Sequence, residues 1–152
     1  MRFFFVDEIL DLVPGKSIRA SKTLGADEDV FRDHFPGFPV VPGVLLTEMM
    51  AQTAGKCLDS ERKSRGKAML IEIAKAKFRD WVRPDQKATI TAEIKVNRER
   101  YASASCEVEV EGKKICSSDL FFTFAPYDRF ASGYRDEVLE SYLEKRQISE
   151  TL

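Results

Sequence analysis

Val44–Leu58 reads VLLTEMMAQTAGKCL. Leu45, Leu46, Met49, Met50 and Ala54 spread over more than one face of a helix, and Ala51 and Gly55 are small. This spacing predicts a helix buried almost all round, around which other elements must wrap. Downstream the period changes from helical to alternating. Ala74, Ala76 and Phe78 alternate with Lys75, Lys77 and Arg79. Ala88, Ile90, Ala92, Ile94 and Val96 alternate with Thr89, Thr91, Glu93 and Lys95. Ala102, Ala104, Cys106, Val108 and Val110 alternate with Ser103, Ser105, Glu107 and Glu109. Alternation of this kind predicts antiparallel strands with one buried face. Pro84-Asp85, Asn97–Arg100 and Glu111-Gly112 break the runs as turns, and Lys113–Phe124 closes the meander.

Upstream of the helix, Phe3–Leu12 and Ser17–Leu24 flank the turn signal Pro14-Gly15, which predicts a hairpin. Gly25–Pro42 is a long irregular segment, and a long ordered loop in a small domain is usually functional. Asp59–Lys67 (DSERKSRGK) is polar and reads as a solvated connection. Val138, Leu139, Tyr142 and Leu143 stand at helical spacing, so Arg135–Arg146 is expected to form a short terminal helix. A hairpin, a loop, one apolar helix and then several strands fit an α+β domain. In it a curved antiparallel sheet wraps one central helix. That domain is expected over residues 1–125, with 126–152 as a C-terminal extension.

The chain has 152 residues, of which 43% are hydrophobic, enough for one domain with a sizeable core. The formal net charge is −1, so no global field draws it to nucleic acid or an anionic membrane. No DNA-binding segment is visible. No run approaches the roughly 18 apolar residues that span a bilayer. Met1–Val6 is cut short by Asp7 and Glu8, which argues against a signal peptide. The three cysteines, Cys57, Cys106 and Cys116, lack metal or redox spacing. Cys106 and Cys116 fall on alternating patterns and read as small buried hydrophobes. A reduced, cytoplasmic setting is expected.

His34 is the only histidine, and it sits in Asp33-His34-Phe35-Pro36-Gly37-Phe38-Pro39. A lone histidine is often a plain surface or core residue. Here the prolines and glycines from Pro36 to Gly43 restrict the backbone around it, and a general base needs such fixed placement. Glu48 lies one turn into the apolar helix, among Leu45, Leu46, Met49 and Met50. A carboxyl in apolar surroundings resists ionisation and can serve as an acid. Gln52, four residues on, shares its face and can bond the carboxyl or line the same cavity. Pro42-Gly43-Val44 opens the helix. Its first N–H groups lack intrahelical partners, and Gly43 admits a close approach to the backbone, so a carbonyl oxygen gaining charge could dock there. A base, an acid and an oxyanion site together suit dehydration of a 3-hydroxyacyl thioester, and that reaction requires no metal or organic cofactor.

These residues resemble a known family. His34-Phe35-Pro36-Gly37, Pro39–Leu45, Glu48 and Ala51-Gln52, with 14 positions from His34 to Glu48, look like the FabZ-type 3-hydroxyacyl-(acyl-carrier-protein) dehydratases. Phe3–Leu12 and Lys75–Gln86 resemble them more loosely, and coverage runs from about residue 3 to 124. The resemblance implies the hotdog fold, His34 and Glu48 as catalytic pair, and Gly43 as donor to the thioester oxygen. Val44, Gln52, Phe35 and Pro36 are expected to line the substrate site. It also implies a homodimer whose sites take His34 from one subunit and Glu48 from its mate, often built into a trimer of dimers. The substrate would arrive on the 4'-phosphopantetheine arm of an acyl-carrier protein. Lys75, Lys77, Arg79 and Arg83 form a basic strip that is either a solvated strand face or a landing place for that acidic carrier. Asp33 stands where the family usually has Gly, and Arg79–Asp85 departs from its usual Pro-rich segment. The route is then either fatty-acid synthesis or a specialised acyl pathway, and the altered Trp81 segment with the extended C-terminus favours some specialisation. The other functions considered are a hotdog acyl-thioesterase, which needs no acid for a leaving hydroxyl, and a non-catalytic acyl-binding protein, which would not need His34 and Glu48.

Overall fold

The computed structural model describes residues 1–131 and 133–151, and side chains up to residue 147. The elements run β1 (Glu8–Val13), β2 (Ser17–Thr23), α1 (Val30–Asp33), α2 (Gly43–Asp59), β3 (Lys67–Phe78), β4 (Lys87–Asn97), β5 (Ala102–Val110), β6 (Lys113–Ala125) and α3 (Glu137–Thr151). One antiparallel sheet holds all six strands in the order β1-β2-β4-β5-β6-β3. Its concave face closes on α2, giving the expected hotdog arrangement. Leu46, Met49, Met50, Ala54, Cys57 and Leu58 of α2 are buried against Ile18, Ile90, Val108, Leu120 and Phe122 of the sheet. Each Leu, Met, Ile, Val or Phe among them contributes about 1.5–3 kcal/mol through removal from water.

Several elements depart from the sequence reading. The first strand begins only at Glu8, and Phe3 and Phe4 lie exposed ahead of it. The irregular segment before the long helix holds the single turn α1. The long helix is not buried all round: Val44 is 77% exposed, and Glu48 and Gln52 are half-buried. These residues sit at i, i+4 and i+8, so they form one open flank.

β3 does not bury one face by alternation either. Ile71, Ile73, Ala76 and Phe78 are all exposed. Two register shifts, Leu70/Glu72 and Ala74/Lys77, interrupt its pairing with β6, and Lys75 takes φ 52° in the second. β3 is also a sheet edge, bonded to β6 alone.

The polar run after α2 is mostly drawn into the structure rather than solvated. Asp59 is buried, with Oδ1 accepting the Ala68 N–H at 2.9 Å and Oδ2 lying 2.6 Å from Lys67 Nζ. Burial pushes the Asp59 carboxyl above its usual range in spite of Lys67. Burial alone would lower the Lys67 ammonium, but Asp59 outweighs it and holds Lys67 above its usual range. The Arg65 guanidinium lies 3.8 Å from the Phe124 ring centroid and donates to Asn97 Oδ1 at 2.7 Å and Arg98 O at 2.6 Å.

α3 packs against β1 and the end of α2. Leu139 enters the core, and Arg146 donates to the Leu12 carbonyl at 2.8 Å. All three cysteines are free and buried, and burial pushes their thiols up to about 12, 12 and 11 for Cys57, Cys106 and Cys116.

Gly66 joins this network to β3 at φ +108°, and a Cβ there would overlap the Ala125 carbonyl oxygen. Gly66→Ala is expected to lower unfolding stability by about 2 kcal/mol or more, read by urea denaturation.

Candidate active site

His34 follows the last residue of α1, whose Phe31 is buried in the core. The loop clamps it on both sides. The His34 N–H donates to Val30 O at 3.1 Å, and the Val40 N–H donates to His34 O at 3.1 Å. Phe35 and Phe38 exchange N–H···O bonds of 3.0 and 2.9 Å across a tight turn, in which Gly37 has φ +79°. The Val41 N–H reaches Val82 O at 2.8 Å, tying the loop to the segment after β3. The imidazole stacks on Phe35 with ring centroids 3.9 Å apart.

His34 opens onto a cavity of about 290 Å³ whose lining includes Phe35, Gly43, Leu46, Phe78 and Trp81. Gly43 begins α2 beside this cavity. A Cβ at Gly43 would meet the Phe78 ring at 3.2 Å, so a larger residue would crowd the space in front of the helix start. The first amides of α2 have no intrahelical acceptor and stand at the positive end of its dipole. Phe38 packs edge-on against Trp81, and the Arg83 guanidinium lies 4.7 Å from the Phe38 ring centroid at the exposed rim.

Glu48 is placed by a different set of contacts. Gln52 Nε2 donates to Glu48 Oε1 at 2.8 Å and to Phe3 O at 3.1 Å, while Gln52 Oε1 accepts the Phe5 N–H at 2.9 Å. The amide is thus held at both ends and fixes the carboxyl. Glu48 and Gln52 line a second cavity, of about 350 Å³, with Phe3, Phe4, Lys56 and Tyr134. The sequence reading missed these last four. Lys56 could have been found, because Glu48, Gln52 and Lys56 stand at i, i+4 and i+8 on one helix. Phe3, Phe4 and Tyr134 arrive from distant segments and carry no such signal.

Within one chain, then, His34 and Glu48 open onto separate cavities. Gly43 shares the cavity of His34, and Gln52 that of Glu48. Of the basic strip, Lys75, Lys77 and Arg79 line one surface depression, and Arg83 stands apart over Phe38.

Residues 1–119 match the model of the FabA-like domain. The chain belongs to the FabA-like family. Relatives within that family include two named 3-hydroxyacyl-(acyl-carrier-protein) dehydratase FabZ. The one from Lactobacillus helveticus is 40% identical over 119 residues, spanning 78% of this chain and 80% of its own length. The one from Levilactobacillus brevis is 39% identical over 125 residues, spanning 82% and 84%. Among solved structures, the dehydratase heterocomplex ApeI:P from Xenorhabdus doucetiae superposes with a TM-score of 0.66 at 15% identity, covering 83% of this chain and 86% of that one. A hypothetical thioesterase with coenzyme A from Streptococcus pneumoniae TIGR4 superposes with a TM-score of 0.64 at 11% identity, covering 78% and 85%. Both likenesses show the shared fold. Among the described residues no helix is long and apolar enough to cross a membrane.

Gln52→Leu would leave the Phe5 N–H without its acceptor and release the Glu48 carboxyl. A loss of about 1–3 kcal/mol in unfolding stability is expected, measured by chemical denaturation.

Proposed function

We propose that this FabA-like protein removes water from a 3-hydroxyacyl thioester carried on an acyl-carrier protein, leaving the trans-2-enoyl thioester. His34 takes the proton alpha to the carbonyl. The Gly43 amide, seconded by Val44, donates to the thioester oxygen as it gains charge. Glu48 gives a proton to the beta-hydroxyl, which departs as water. Phe35 and Pro36 bound the substrate beside His34, and Gln52 holds Glu48 in position. The catalytic unit is residues 1–125, and residues 126–152 extend it.

One observation carries this reading: a backbone-clamped imidazole beside free helix-start amides, in a chain whose proton donor opens elsewhere. Such a layout suits a site completed by a second copy. The surface supports the same conclusion. β3 is an unpaired edge with Ile71 57% and Ile73 50% exposed, and the apolar Val44 lies on the open flank of α2. An exposed apolar edge strand is ordinarily covered. We therefore assign a homodimer in which each site takes His34 from one subunit and Glu48 from the other. The three free thiols accord with a cytoplasmic location. A thioesterase needs a water-activating carboxylate and no acid for a leaving hydroxyl, so the clamped His34 beside the helix-start amides favours dehydration.

His34→Ala and Glu48→Gln should each abolish formation of the enoyl product, followed by its absorbance. Refolding the two dead variants together should restore about a quarter of wild-type activity. Half the dimers are then mixed, and each mixed two-fold dimer keeps one intact site. No recovery on mixing would place both groups in one subunit and overturn the assignment.

Lys75, Lys77 and Arg79 line an exposed depression that also holds Glu93, Glu107 and Asp119, and their cationic groups are what it offers an acidic carrier. Reversing all three to Glu is expected to raise KM for a carrier-protein thioester about tenfold. KM for the free pantetheine thioester should stay unchanged.

A further inference from the structure

We propose that Tyr134 and Asp136 end the acyl groove and make this protein selective for short and medium acyl chains. The inference rests on Glu48 being the acid that meets the beta-hydroxyl.

The cavity beside Glu48 runs to a charged end. It follows the open flank of α2 past Gln52 and Gly55 to Lys56, with Phe4 and Leu70 among its apolar walls. There it meets Tyr134 and Asp136, which precede α3. The floor at that end is charged. Lys56 Nζ lies 2.7 Å from Asp136 Oδ2, with side chains only 11% and 16% exposed. Lys67 Nζ, on the adjoining wall, is held 2.6 Å from Asp59 Oδ2. A methylene chain that advanced further would have to separate these pairs or strip their remaining water. Either event leaves charge uncompensated in an apolar surrounding.

The stop is anchored. Asp136 Oδ1 accepts the Leu139 N–H at 3.1 Å, capping α3, while Oδ2 holds Lys56. Leu139 is 4% exposed in the core, and Arg62 grips both Glu140 oxygens at 3.0 Å. The family-model match ends at residue 119, so Tyr134, Asp136 and Leu139 lie beyond it.

Length follows from helix geometry. Eight residues from Glu48 to Lys56 rise about 12 Å. A zigzag of carbon–carbon bonds near 1.5 Å advances about 1.25 Å per carbon. Side chains of one helix lean the same way, so Glu48 and Lys56 keep about this separation. The groove thus admits about ten carbons beyond the beta-carbon that meets Glu48.

The test uses the full-length protein and compares kcat/KM for 3-hydroxyoctanoyl and 3-hydroxyhexadecanoyl carrier-protein thioesters. The octanoyl substrate should be preferred by about tenfold or more. Tyr134→Ala, and separately the paired change Lys56→Met with Asp136→Leu, should each cut that preference by about tenfold. The paired change removes both charges and so orphans neither. Circular dichroism checks that each variant is folded. Equal use of both substrates by the wild-type protein would overturn the stop and leave the dehydratase reading intact. A preference unmoved in both folded variants would do the same. No turnover of either substrate would overturn the dehydratase reading, and the stop with it.

Discussion

A single helix has to fill the concave side of a six-stranded sheet, and the rest of the molecule follows from that packing. α2 is the longest apolar segment available, and the sheet curls until Met49, Met50, Ala54 and Leu58 are covered. One sheet cannot close completely around one helix. A flank stays open where the sheet ends at β3, and Val44, Glu48 and Gln52 lie along it. The candidate acid is therefore half-buried because of where the sheet stops. The same packing puts the start of α2 next to the His34 loop, whose backbone is tied to both α1 and the segment after β3. Rigid loops hung on a packed frame are how a small domain holds reactive groups in place.

The second organising feature is charge drawn under the surface at the far end of α2. Asp59, Lys67, Lys56 and Asp136 pair across three segments of chain. Buried pairs of this kind add little net stability, because desolvation offsets much of the attraction. They do specify geometry, since losing one partner leaves the other stranded. Here they fix how β3 leaves the helix and where the segment before α3 lies. The polarity of the Glu48 groove at its distal end is a consequence of that wiring.

The strands β4 and β5 were legible from alternation, because one face of each is buried, and β6 was expected as the run that closes the meander. The His34 loop and Glu48 were legible too. Both announce themselves by chemistry out of keeping with their neighbours: an imidazole among prolines, a carboxyl among methionines. β3 misled for a definite reason. Its bulge near Lys75 breaks the period, and its apolar residues lie at a sheet edge, exposed in the single chain. The run Asp59–Lys67 misled because partners such as Asn97, Arg98 and Phe124 lie elsewhere in the chain. Local polarity cannot report a distant acceptor.

Sequence by itself determined which residues can do proton chemistry, that one apolar helix must sit inside antiparallel strands, and that the helix starts on a Pro-Gly step. Those properties depend on side-chain type and on near-neighbour spacing, which a linear string records. Only the tertiary structure decided that His34 and Glu48 open onto different cavities, that Gln52 is clamped between Glu48 and the N-terminal segment, and that Tyr134 and Asp136 reach the end of the groove. Each of those facts joins segments separated by tens of residues, and only the path of the folded chain brings them together.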